Sequence, residues 1–111
     1  MSRGVRLDKP WVELTPESAG AIGGHMGVYE LADGNGSVVR IGYAGGSSPF
    51  GLRGVLQGHA EAGDGAQFRH EITTSYLSRY RELLMAHLAD HGCLPAGNDE
   101  DPDSLGRLRP S

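Results

Sequence analysis

A small set of side chains in this 111-residue chain could do chemistry, and each sits in a different local context. Tyr29 follows Gly27-Val28 in a strand-like stretch and carries a phenol that can donate, accept or give up a proton. Arg40 opens the tripeptide Arg40-Ile41-Gly42. Its guanidinium stays charged near pH 7 and cannot act as a base, yet it can grip a phosphate with paired hydrogen bonds. His59 falls at the edge of an apolar helical face, where packing or a core hydrogen bond competes with an acid–base role. Glu82 is the only acid in the middle of the last helical stretch. Helical periodicity sets it about 200° from both Tyr80 and Leu84, opposite the apolar stripe and toward solvent. His87 and His91 have the i, i+4 spacing of a helical metal pair, but no third ligand accompanies them and His87 belongs to the apolar stripe. Arg69, Arg79 and Arg81 could line a phosphate-facing surface or simply be scattered surface arginines.

The elements that must position these groups are legible. Gly27 to Leu31 reads as a strand, Asp33-Gly34-Asn35-Gly36 supplies turn chemistry, and Val38 to Tyr43 reads as the return strand of an antiparallel hairpin. From Gly51 to about Ala62, Leu52, Val55, Leu56 and His59 fall at helical spacing, and Gly63-Asp64-Gly65 ends that helix. Gln67 to Thr74 predicts a third strand, with Phe68 and Ile72 on one face. Ser75 to His91 predicts the best helix, its stripe formed by Tyr76, Leu77, Tyr80, Leu83, Leu84 and Leu88, with Gly92 as the stop. Ahead of these, Pro10 to Leu14 is a short extended piece with Trp11 packed on the domain edge. Thr15-Pro16-Glu17 begins a brief helix. The expected fold class is α+β, a small antiparallel three-stranded sheet flanked by helices in the order β-β-α-β-α. The expected division is a lead-in and short helix over residues 1–24, the domain proper over 25–98, and an acidic, disordered tail over 99–111.

Composition bounds the function. The length allows one domain with one modest core. The net charge is −4 with a pI near 5.6, which counts against holding duplex DNA by bulk charge, since phosphate binding leans on Lys and Arg. Four acids from Asp99 to Asp103 against Arg107 and Arg109 account for half of that charge, so the body is close to neutral. No apolar run approaches the roughly 20 residues that span a bilayer. The first residues lack an apolar signal-peptide core, and the lone Cys93 cannot form an internal disulfide, so a cytoplasmic location is expected.

From Gly27 to Asn98 the chain resembles the GIY-YIG nuclease superfamily. Gly27-Val28-Tyr29 stands where the first tripeptide of the family name belongs and Arg40-Ile41-Gly42 where the second belongs, with Tyr29 and Arg40 eleven positions apart. Leu52-Arg53, Leu56 and His59 resemble the family's helix pattern, and Pro95-Ala96-Gly97-Asn98 resembles its terminal proline-to-asparagine piece. The resemblance implies one divalent metal, Mg²⁺ or Mn²⁺, held by a helix glutamate, here Glu82. Tyr29 and His59 would serve the attack, and Arg40, Arg53 and Asn98 would hold the substrate. The chain also departs from the pattern. Arg40 replaces the second tyrosine, and Val55 stands four residues before His59, where the family has an arginine. Arg53, two positions earlier, is rotated by about 200°.

Two functions are therefore carried forward. One keeps the fold but not the chemistry: a domain with a degenerate site that binds nucleic acid or a protein partner. The other is an active, metal-dependent DNA endonuclease that hydrolyses phosphodiesters.

Overall fold

A computed structural model describes residues 6–46 and 48–98. Among them the chain forms β1 (Val12–Glu13), α1 (Pro16–Gly20), β2 (Gly27–Ala32), β3 (Val38–Ala44), α2 (Gly51–Ala62), β4 (Gln67–Ile72) and α3 (Tyr76–His91). The architecture is α+β, one antiparallel sheet flanked by helices. The sheet has four strands in the order β1-β4-β2-β3 rather than three. The extra strand is the extended piece at Val12–Glu13, which pairs with Phe68 and Gln67 of β4. Two residues are too short a run to show a period-2 pattern, and only β4 makes them a strand. The expectation of a disordered tail lies outside the described residues.

Local chemistry explains the main turns. Thr15 and Ser18 form a reciprocal capping box, each side-chain oxygen accepting the other's backbone N–H at 3.0 Å, and Pro16 opens α1. In the β2–β3 turn the Asp33 carboxylate accepts from the backbone N–H groups of Asn35 at 2.9 Å and Ser37 at 3.0 Å. The turn pairs Ala32 with Val38, and a β-bulge between Leu31 and Ala32 then shifts the register, so that Leu31 lies opposite Arg40 and Tyr29 opposite Gly42.

Strand alternation then divides the interior. Tyr29, Leu31 and Phe68 pack with Leu14, Ala19, Leu52 and Leu56 on the face covered by α1 and α2. Val28 and Ile41 pack with Leu7, Tyr80, Leu83 and Leu84 on the face covered by α3. The two long helices thus cover opposite faces and do not converge on one hollow from the same side. Period 2 along β2 makes this unavoidable, because Val28 and Tyr29 point to opposite faces and both are buried. The α3 face also holds charge. Arg79 donates to both Glu71 oxygens, to Glu82 at 3.0 Å and to the Arg6 carbonyl, while Arg69 pairs with Glu30 at 2.8 Å and lies over the Trp11 ring.

Candidate functional site

The site is built outward from Tyr29. Register puts Gly42 beneath its ring, and the approach is so close that a Cβ at Gly42 would lie 2.3 Å from the Tyr29 Oη and 2.4 Å from Cζ. Only a residue without a side chain lets the phenol lie across β3 toward the outer edge of the sheet. Arg40 is two residues from Gly42 on the same face, so the hairpin alone brings the guanidinium beside the phenol.

The helix α2 supplies the next group. His59 Nε2 is 2.7 Å from Tyr29 Oη, and His59 Nδ1 is 2.6 Å from the Asp64 carboxylate. The turn after α2 makes this second contact. Gly63 takes a left-handed conformation (φ 73°), and the Asp64 N–H then returns to the His59 carbonyl at 3.1 Å. That return hydrogen bond brings the Asp64 side chain back alongside the imidazole.

Proton directions follow from the acceptors. A carboxylate can only accept, so His59 carries a proton on Nδ1 and leaves Nε2 to accept from the Tyr29 hydroxyl. Burial pushes the Tyr29 phenol above its ordinary value; the nearby Arg40 guanidinium opposes the shift and Asp64 adds to it. At neutral pH the tyrosine is therefore a neutral donor. It can become a base or nucleophile only by passing its proton to His59.

The outer rim lies along β3, an edge strand of the sheet. Gly97 and Asn98 run along it. The Gly97 N–H donates to the Val39 carbonyl at 2.7 Å, and Arg40 Nη1 donates to the Gly97 carbonyl at 2.5 Å. The Asn98 side chain accepts from the Ile41 N–H and donates to the Ile41 carbonyl, both at 2.9 Å, doing for Ile41 what a neighbouring strand would do. Between this strap and the sheet is a hollow of about 230 Å³ lined by Tyr29, Arg40, Gly42, Tyr43, Tyr80 and Asn98 with Ile41. Arg40 Nε is buried there and meets no hydrogen-bond partner among the described residues.

Of the residues singled out from the sequence, Tyr29, Arg40 and Asn98 share this hollow, and His59 reaches it through the Tyr29 hydroxyl. The other two do not line it. Arg53 is half-buried beside Gly24, and Val55 packs against the apolar core. Glu82 is on the α3 face, held by Arg79 and grouped with Arg6, Arg81 and Met85. The physical reason is the rotation noted above: Glu82 faces away from the helix's apolar stripe, and α3 covers the face opposite Tyr29.

The fit for a divalent metal is correspondingly poor. Among the described residues no carboxylate lines the hollow, and no cluster of three His, Cys, Asp or Glu side chains is arranged to hold a metal. His87 and His91 do lie together, their rings tilted by 35° with centroids 4.3 Å apart, without a third ligand among those residues.

Sequence reasoning missed two contributors. Asp64 was read only as part of a helix-ending turn; its one available signal was a carboxylate five residues after the helical histidine across a glycine. Tyr43 was read only as a strand residue, and nothing in its immediate neighbours distinguishes it from any other half-exposed strand tyrosine.

Fold and site together define a small α+β domain in which a Tyr–His–Asp hydrogen-bond chain runs from a buried phenol beside an arginine at a sheet edge to an exposed carboxylate. Residues 5–90 match the model of a family described as a domain of unknown function, DUF7508, and the chain belongs to that family. The matched segment contains Tyr29, Arg40, His59 and Asp64 but not Asn98. No curated protein matches the sequence. No helix among the described residues is long and apolar enough to cross a membrane.

Proposed function

We propose that this chain is a divergent GIY-YIG-like nuclease-fold domain that binds nucleic acid through a phosphate seated at the β3-edge hollow. The observation that carries the reading is Arg40: a guanidinium held by the Gly97 carbonyl and lining the hollow beside Tyr29. A guanidinium presents a planar fork of N–H donors, and a phosphate oxygen is the acceptor such a fork accommodates best. The strand-strand-helix-strand-helix order of β2, β3, α2, β4 and α3 supports the resemblance, and the absence of a carboxylate at the hollow among the described residues supports a degenerate catalytic set.

A second reading, phosphodiester cleavage, is favoured by one observation, the Asp64–His59–Tyr29 chain. His59 is placed to take the Tyr29 proton, which would convert the phenol or a water beside it into an attacking group. The described residues offer no carboxylate set to hold Mg²⁺ or Mn²⁺, so this reading rests on proton transfer along the chain itself.

Fluorescence anisotropy of a labelled oligonucleotide tests the first reading. Arg40→Gln should abolish most binding while Tyr29→Phe weakens it modestly; equal affinity of Arg40→Gln and wild type would overturn the reading. Incubation with supercoiled plasmid and Mg²⁺ or Mn²⁺ tests the second: nicking lost in Tyr29→Phe supports cleavage, and nicking unchanged in that variant marks a contaminant.

A further inference from the structure

Beside the hollow, on the α3 side of β3, three tyrosines form a short ladder. Tyr43 stacks on Tyr76 with ring centroids 5.6 Å apart and 23° between planes, and meets Tyr80 edge-on at 4.9 Å. Tyr43 nevertheless keeps 41% of its surface exposed, unlike the buried Tyr29 and Tyr80. It is also held in place. Tyr76 accepts from the Gly46 N–H at 3.3 Å, and the backbone at Gly45 lies so close to the Tyr76 ring that a Cβ there would come within 2.7 Å of it. A rigid, half-exposed aromatic ring therefore flanks the same hollow that holds Arg40.

Stacking surfaces of this kind bind bases whose faces are free, and duplex bases already have both faces covered by their neighbours. The charge balance points the same way. With one lysine and a net charge of −4, the chain has little with which to track a duplex backbone. A single arginine suits one phosphate.

We infer that the ligand of this site is single-stranded nucleic acid, with one phosphate on Arg40 and the adjoining unpaired base stacked on Tyr43. The inference rests on the nucleic-acid reading above and narrows it to a substrate class. It assigns Tyr43 as a specificity residue: the ring selects unpaired bases, whereas Arg40 accepts any phosphate.

The test is an anisotropy titration at low salt with three probes of one length and label: a mixed-sequence single strand, its blunt duplex, and a strand with abasic sites replacing its central bases. Wild type should bind the single strand at least tenfold more tightly than either other probe. Tyr43→Ala should lose about 5- to 150-fold on the single strand, the range of one base–aromatic stack, and nothing on the abasic strand. Tyr43→Phe, which keeps the ring, should retain wild-type affinity, and unfolding midpoints of both variants confirm that the domain is intact. With one phosphate contact, the affinity should fall with log salt at a slope of about −0.7. Duplex or abasic probes bound as tightly as the single strand, or a folded Tyr43→Ala binding normally, would overturn the inference and leave the phosphate reading standing. Failure of wild type to bind any probe would overturn both and point to a protein partner.

Discussion

Substituting Gly42 by alanine tests the geometry on which the site depends. The added Cβ would lie 2.3 Å from Tyr29 Oη, 2.4 Å from Cζ and 2.8 Å from Cε2. Non-bonded heavy atoms prefer about 3.5–4.0 Å, so the overlap exceeds roughly 1 Å. The ring cannot step aside easily. It is only 3% exposed, packs in the α2-side core, and is tied to His59 at its far end. Overpacking of this kind costs about 1–3 kcal/mol. Against it stands the gain of alanine over glycine within a strand, about 0.5–1 kcal/mol. Gly42→Ala should therefore destabilise the wild type by about 1–2 kcal/mol. In a Tyr29→Leu background the clashing ring atoms are gone and only the gain remains, so the same substitution should stabilise slightly. Urea unfolding of the four proteins yields the coupling energy, expected at about 1–3 kcal/mol, provided the slopes stay constant. If Gly42→Ala has the same effect in both backgrounds, the phenol does not lie across β3 and the hollow loses its floor.

Three further outcomes are expected. Asp64→Ala should release the His59 tautomer, so that ¹⁵N shifts of the ring move from a protonated Nδ1 toward a mixture; its stability cost should stay below about 1 kcal/mol because the Asp64 side chain is 44% exposed. Asn98→Ala removes both hydrogen bonds to Ile41, each worth about 0.5–1.5 kcal/mol, and should speed hydrogen exchange at the Ile41 amide more than at Tyr29. Burial lowers the folded-state values of His70 and His87 below the ordinary 6.5, the positive charges near each helping, although Asp90 pulls His87 back. The unfolded chain then binds more protons than the folded one as the pH falls through 6.5. Stability should be fully present above that pH and decline below it, and His70→Gln should flatten the decline in pH-dependent urea midpoints.

The sequence by itself determined the elements and one half of the site. Hydrophobic periodicity placed β2, β3, α2 and α3 to within a residue or two of their observed ends, because each carries its own pattern and its own glycine or turn stop. The sequence also named Tyr29 and Arg40 as candidates, although only the β-bulge between Leu31 and Ala32 sets the two on one face. What only tertiary structure decided lies between elements. The fourth strand exists because β4 offers it an edge. Glu82 was a candidate by its place in the chain, yet the face that α3 covers gives it to Arg79. Asp64 joined the site because a left-handed glycine turned the chain back on His59, and Tyr43 because β3 is an edge. Periodicity records which face of an element is buried, but carries no information about which neighbour buries it. The partners of a polar side chain are therefore settled only when the layers assemble.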